Sequence, residues 1–462
     1  PSGDALLDRQ ARLMRDSFQS QQMSPDMIKQ IVALETDITA EFNGFRAELN
    51  GQSMTDNQLK KILKESNDEV ERRAAWEASK QIGAQVVDRV RQTVQLRNRA
   101  AREMGFANYY AMSLHLQELN EDTLFALFDR LEKLTRPLFT AYKTDLDRQL
   151  ADRFHLLIDQ LRPWHYADPF FQETPAMPGL NLDQYYADKD IVALAQQFYQ
   201  KIGMPVDDIL GRSDLYEREG KYQHAYCIDI DRQGDVRTMD NVQPNARWMG
   251  TLLHELGHAV YDKYHDRSLP FLVREPAHTL STEAIAMLMG RFSENGAWLR
   301  HYLGLSPSET VKFETKLKAF QSAGLLIFTR WDLTVCHFER EMYRNPDQDL
   351  NKLWWDLVEK FQMLKRPEGR NQPDWASKIH IACYPAYYQN YMLGEMTASQ
   401  LLEFINTEVL GGHAEKFVES PEVGKYLVNK YFKLGSRFDW NGLLKESTGE
   451  ELRPEYFAKH LQ

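Results

Sequence analysis

Apolar residues recur at helical spacing through most of the chain. In the first third they run through Ile28, Ile31, Val32 and Leu34, and later through Val86, Val90 and Val94. Ser24-Pro25-Asp26 opens one of these segments with a cap and a first-turn proline, and Ser66-Asn67 and Gly105-Phe106 break the run. Residues 1 to about 160 therefore read as almost continuous helix, a lid or scaffold without chemistry of its own. Residues 162 to 183 change character. Pro163, Pro169, Pro175, Pro178 and Gly179 punctuate a loop rich in aromatics. Trp164, His165, Tyr166, Phe170 and Phe171 either line a cleft or pack the loop onto the body. A helix resumes from Asp188 to Ile202.

Strand-like residues are concentrated between 215 and 240. Tyr222 to Ile230 reads as one strand, including Gln223, His224 and Ala225; Asp231 to Asp235 turns; Val236 to Met239 returns. An edge strand of such a hairpin can hold an extended peptide through its main chain. From 245 to 462 helical spacing dominates again, with breaks at Pro270, Pro276, Gly304 to Pro307, Pro346, 367 to 373 and Gly411-Gly412. The pattern is mainly α with one small sheet, and no internal repeat is evident.

Within the run 251–260 lies His254-Glu255-Leu256-Gly257-His258. On a helix, residues four apart share a face, so both imidazoles can reach one ion about 2 Å away. Glu255, beside the first of them, can take a proton from a water at that ion. Trp248, Leu252, Leu253, Leu256 and Val260 give this segment an apolar face. Two ordinary histidines on a buried helix would read the same way, so a third ligand is needed. Glu283, 25 residues beyond His258, sits in the small and apolar run Ala284-Ile285-Ala286 of a helix starting near Thr279. A carboxylate on a buried face needs a partner, and a metal is a good one. Glu275 is the rival, but it precedes Pro276 and falls in a loop.

These pieces resemble the gluzincin peptidases, and most closely the angiotensin-converting-enzyme-like peptidyl-dipeptidases. His254 to His258 followed by Glu283-Ala284-Ile285 carries the likeness. His224-Ala225-Tyr226-Cys227-Ile228-Asp229, Thr238-Met239-Asp240, Trp354-Trp355-Asp356-Leu357, Lys378-Ile379-His380-Ile381 and the run from Pro385 through Tyr391 follow in the family's order. The resemblance implies a large helical fold with a deep central cleft and one β hairpin beside the metal helix. It implies one zinc ion on His254, His258 and Glu283, with Glu255 as general base. His224 and Ala225 would hold the peptide backbone, Lys378 the substrate's C-terminal carboxylate, and His380 a substrate carbonyl. Tyr391 would steady the oxyanion and Tyr388 would help at the carboxylate, with Tyr387 a competitor because the spacing from His380 is one residue longer than in the family. Residues 1–160 and 161–462 would form one catalytic unit with the cleft between its halves.

The departures are specific. The family's chloride-binding arginines fall near Val358 and Asn390, so no chloride response is expected. A carboxylate-clamping glutamine falls near Tyr166. The acid that follows the family's Glu-Ala-Ile-Gly is Met287, so one contact to the metal's ligands must come from elsewhere. The expected reaction is hydrolysis of oligopeptides with release of C-terminal dipeptides. A related helical zinc oligopeptidase or carboxypeptidase, or a zinc-containing peptide binder without turnover, are the alternatives.

Composition narrows partners more than fold. With 462 residues, 43% hydrophobic and 27% charged, the chain is an ordinary globular protein, and its net charge of −11 disfavours nucleic acid or an anionic membrane as partner. No apolar run of membrane-spanning length is present. Three cysteines without a C-x-x-C pair suggest neither a cysteine zinc site nor a disulfide framework, so the family's disulfide around the His224 strand cannot form. The chain begins at Pro1, which fits a soluble protein that is either extracytoplasmic after loss of a leader or cytoplasmic; oligomeric state is not encoded in any pattern found.

Overall fold

The computed structural model describes residues 2–175, 180–222 and 224–462; Pro178, Gly179 and Gln223, assigned above to loop and strand, lie outside them. Helices dominate the described residues, the longest being Glu121–Phe154 and Pro307–Arg344. The latter opens on a capping box, with Ser306 and Glu309 each satisfying the other's backbone N–H. The helix expected at 188–202 spans Ile191–Lys201, with Asp190 as its cap.

The sheet content corrects the reading of a single hairpin. Among the described residues two antiparallel pairs are present: β1 (Ala47–Leu49) with β2 (Gln52–Met54), and β3 (Tyr226–Asp229) with β4 (Val236–Met239). The first interrupts the supposedly continuous N-terminal helix. Its turn is Asn50-Gly51, both at positive φ, the combination that a two-residue hairpin turn requires. Strands of three residues show too little alternation to stand out, although the Asn-Gly pair was a legible sign. In the second hairpin the strand begins at Tyr226, so His224 and Ala225 precede it rather than belong to it.

One continuous buried core draws on both parts of the chain, from Ile38, Val86 and Phe139 to Trp331, Leu427 and Phe457. A smaller cluster of Ala47, Leu49, Leu59, Ala75 and Ala78 sits under the first hairpin. The aromatic loop resolves mostly to packing. Trp164, His165, Tyr166 and Phe171 are buried, and the Tyr166 hydroxyl is engaged by Lys143 and Asp147. Phe170 lines a cavity. Among the described residues no helix is long and apolar enough to cross a membrane.

Candidate metal centre

The Ala246–Lys263 helix is capped by Asn245, whose side chain accepts from the Trp248 N–H. Its apolar face is buried, and the Tyr199 hydroxyl donates to the Leu253 carbonyl from a neighbouring helix. The Thr279–Gly290 helix, capped by the His278 ring, lies directly against it. Gly257 makes this contact possible: a Cβ there would lie 2.8 Å from Ala286 Cα, closer than two carbons pack. A third helix, Gln389–Phe404, closes on the second through Gly394, where a Cβ would meet Glu283 Cβ at 3.4 Å.

This packing brings His254, His258 and Glu283 together, with one donor atom from each within 4.8 Å of the others. The His254 and His258 Nε2 atoms lie 3.7 and 4.0 Å from the Glu283 carboxylate oxygens. His258 Nδ1 is hydrogen-bonded to Thr282 Oγ1 at 2.7 Å, which fixes the ring; with Nε2 given to an ion, Nδ1 would carry the proton and donate. Burial pushes the His254 pKa down to about 4 and the His258 pKa to about 3, so both are neutral imidazoles at neutral pH, as metal ligands must be. Burial raises Glu283 to about 7. Burial, then Asp240 and Glu283, raise Glu255 to about 8. Asp240 is itself fully buried, with one oxygen on the Thr238 hydroxyl and the other unpartnered. Two imidazoles and one carboxylate, crowded by further carboxylates, form a donor set that suits zinc with a coordination position left for water or substrate. Glu275 is not part of this group; its carboxylate pairs with Arg232 at 2.6 Å.

Two cavities flank the metal helix, and His254 and Glu255 line both. One, of about 580 Å³, runs along Ala225, β3, Asp262 and Glu275. β3 pairs only with β4 among the described residues, so its outer edge is open. His224 is not in this lining; it is exposed, with its ring 5.3 Å from Tyr222. The other cavity, of about 720 Å³, is lined by Tyr391, Met287, Leu325 and Phe328.

Beyond Tyr391 the remaining predicted residues form a connected set. The Tyr391 ring lies 5.3 Å from Tyr387 and 5.5 Å from Tyr388. Tyr388 is buried, accepts from Trp331 Nε1, and lies 5.2 Å from the His380 ring and 5.8 Å from Lys378 Nζ. Tyr387 instead faces Glu283 and Tyr391. His380 keeps a buried Nδ1 without partner, and burial, with Lys378, lowers its pKa to about 4. Lys378 donates to Gln172 Oε1 at 2.8 Å and sits over the faces of Trp331 and Phe170. Burial lowers its pKa to about 8.

Sequence reasoning missed Thr282 and Gln172. Thr282 carried no signal beyond its position next to Glu283. Gln172 is held by a loop in which the buried Asp168 carboxylate accepts from the N–H groups of Phe170, Gln172 and Glu173. No helix or strand period announces such a placement.

The chain matches the peptidase M2 family, described as angiotensin-converting enzyme, over residues 2–454. Angiotensin-converting enzyme of Mesocricetus auratus is 24% identical over 395 residues, covering 77% of this chain and 29% of that protein. Angiotensin-converting enzyme-like protein Ace3 of Mus musculus is 22% identical over 429 residues, covering 85% of this chain and 57% of that protein. A Caenorhabditis elegans protein named inactive angiotensin-converting enzyme-related protein is 23% identical over 334 residues, 62% of this chain and 36% of its own length. The chain thus spans well under two thirds of the length of these relatives.

Proposed function

The chain belongs to the angiotensin-converting enzyme family, and from that premise we propose that it is a zinc-dependent peptidase releasing C-terminal dipeptides from oligopeptides. The observation that carries the reading is the convergence of His254, His258 and Glu283, with Glu255 facing both flanking cavities. His254, His258 and Glu283 would hold the ion. Its contribution when bound is Lewis acidity, which lowers the pKa of water towards about 7 and polarises a carbonyl.

The chain's own residues do the rest. Glu255 takes a proton from the attacking water and returns it to the leaving amine. The Tyr391 hydroxyl donates to the oxyanion. Lys378, supported by Gln172 and Tyr388, takes the free C-terminal carboxylate, since among the described residues its half-buried ammonium has a neutral amide oxygen as hydrogen-bond acceptor and no ion pair. Tyr388 touches both Tyr391 and Lys378, so the C-terminal part of the peptide lies on the Tyr391 side. The N-terminal part then runs along Ala225 and the open edge of β3. His380, beside Lys378 and Tyr388, donates to a substrate carbonyl. On this reading residues 1–160 and 161–462 act as one unit around the cleft.

Mass spectrometry of products tests the proposal. A peptide with a free C-terminus should lose successive dipeptides, and chelator should stop the release. Single-residue trimming, or equal cleavage of the C-terminally amidated peptide, overturns the dipeptidase reading and favours a related carboxypeptidase or oligopeptidase. One relative, from C. elegans, is named inactive, and the second reading for this chain is a zinc-containing peptide binder without turnover. Glu255 argues against it, because binding alone has no need of a base beside the metal.

A further inference from the structure

The metal helix carries one more polar group into the cavity of about 580 Å³ that runs along β3. Asp262 stands four residues beyond His258, on the same face and one turn further along the helix. It is half-buried and lines the cavity, and its carboxylate has no hydrogen bond or ion pair among the described residues. Asp229 of β3 shares the lining, but its carboxylate already accepts from the N–H groups of Asp231 and Arg232.

The charge around Asp262 is not balanced within the chain. Glu255 and Glu283 face the metal centre, where a divalent ion would offset both. Beyond them the lining holds three carboxylates, Asp229, Asp262 and Glu275, against two guanidiniums, Arg232 and Arg274. Arg232, the cation that acts on Asp262, is committed to Glu275 at 2.6 Å. Arg274 donates to the main-chain oxygens of Leu269 and Arg232. Groups behind the wall do not restore the balance. Asp231 acts on Asp229 and Asp240 on Glu255, both adding negative charge. Arg9, which acts on Glu275, is paired with Glu118, and Lys221, which acts on Asp240, is paired with Asp214. One negative charge stays in excess, and Asp262 is the carboxylate without a partner. Burial, then the charge of Asp229, hold its pKa up at about 7, the mark of a carboxyl that lacks a close cation.

We propose that Asp262 binds a cation of the substrate, the ammonium or guanidinium carried by the second residue before the cleaved bond. The position follows from lengths. Four residues of helix advance about 6 Å past His258. Two residues of extended chain along β3 advance about 6.6 Å from the metal. The inference rests on the peptidase reading above and names the substrate class for its N-terminal side. The cation has two sources. One is a Lys or Arg side chain at that residue. The other, in a tetrapeptide, is the free α-amino group, because that residue is then the first of the chain.

Steady-state kinetics on two pairs of peptides test it. The members of one pair are N-acetylated and differ only in Lys or norleucine at that residue. The other pair is one uncharged-side-chain tetrapeptide with its N-terminus free or acetylated. The wild-type protein should favour the charged member of at least one pair in kcat/KM by about three- to tenfold at low ionic strength, between an exposed ion pair and a charge-assisted hydrogen bond. The pair that responds identifies the source of the cation. The preference should fall towards one in 1 M salt. It should fall likewise in Asp262→Asn, and Asp262→Lys should invert it. Because each ratio is internal to one preparation, incomplete folding of a variant does not disturb it. Ratios of one or below in both pairs, or a preference that Asp262→Asn leaves intact, overturn the inference; with dipeptides still released, the peptidase reading stands. If no peptide of either pair loses a dipeptide, that reading falls, and this inference falls with it.

Discussion

Glu255 and Lys378 show how far single residues carry the chemistry. Glu255 is buried beside the ligand cluster without being one of its three members. Replacing it with glutamine keeps shape and removes the base. Activity should fall about 10²–10⁴-fold while zinc content, measured by atomic absorption, stays at the wild-type level. Loss of zinc along with activity would instead mean that Glu255 supports the site structurally. Lys378 gives a pH signature. Burial lowers its pKa to about 8, so it is a cation below that pH and neutral above it. kcat/KM for a free-C-terminus peptide should therefore fall as pH rises through about 8. Lys378→Arg, which stays charged, should remove that limb of the profile. At this scale the sequence was legible where spacing does the work. His254 and His258 are four apart, and a helix forces them onto one face. Gln172 was not legible, because its reach to Lys378 depends on a loop held by Asp168, with no period to read.

At the scale of elements the metal centre is a contact between two helices that glycine permits. Gly257→Ala would gain about 1 kcal/mol in helix propensity but set a Cβ 2.8 Å from Ala286 Cα, where backbone cannot yield cheaply. Overpacking of this kind costs about 1–3 kcal/mol, so we expect a lower melting temperature and weaker zinc binding, seen by calorimetry on apo and zinc-loaded protein. An unchanged affinity would show that the helix pair tolerates separation without moving its ligands. The helical runs were readable from apolar spacing, and the Thr279 start from the break at Glu275-Pro276. The β1–β2 hairpin was not picked out, because three-residue strands give at most two alternations, and its Asn50-Gly51 turn was the one local sign. The length of β3 was overread for a related reason: Tyr222 to Ala225 has strand-like residues, yet pairing with β4 starts only at Tyr226.

For the whole molecule the metal should act as a ligand of the folded state. At a thousand times its dissociation constant a bound ion stabilises by about 4 kcal/mol. Chelation should lower the melting temperature and abolish peptide cleavage, and zinc should restore both. A protein indifferent to chelator in both respects would not be a zinc enzyme. By itself the sequence determined the helical class, the buried character of the metal helix and the three candidate ligands. These follow from periodicity, from i to i+4 geometry and from a carboxylate set in an apolar run. Only the tertiary structure decided which aromatics of the 162–183 loop pack and which one lines a cavity. It also decided that Tyr388 rather than Tyr387 neighbours Lys378, and that Thr282 orients His258. The physical reason is range. A helix or a turn is specified by residues a few positions apart. Meetings such as Lys378 with Gln172, 206 positions apart, are set by how the helices stack, and that is a property of the whole core.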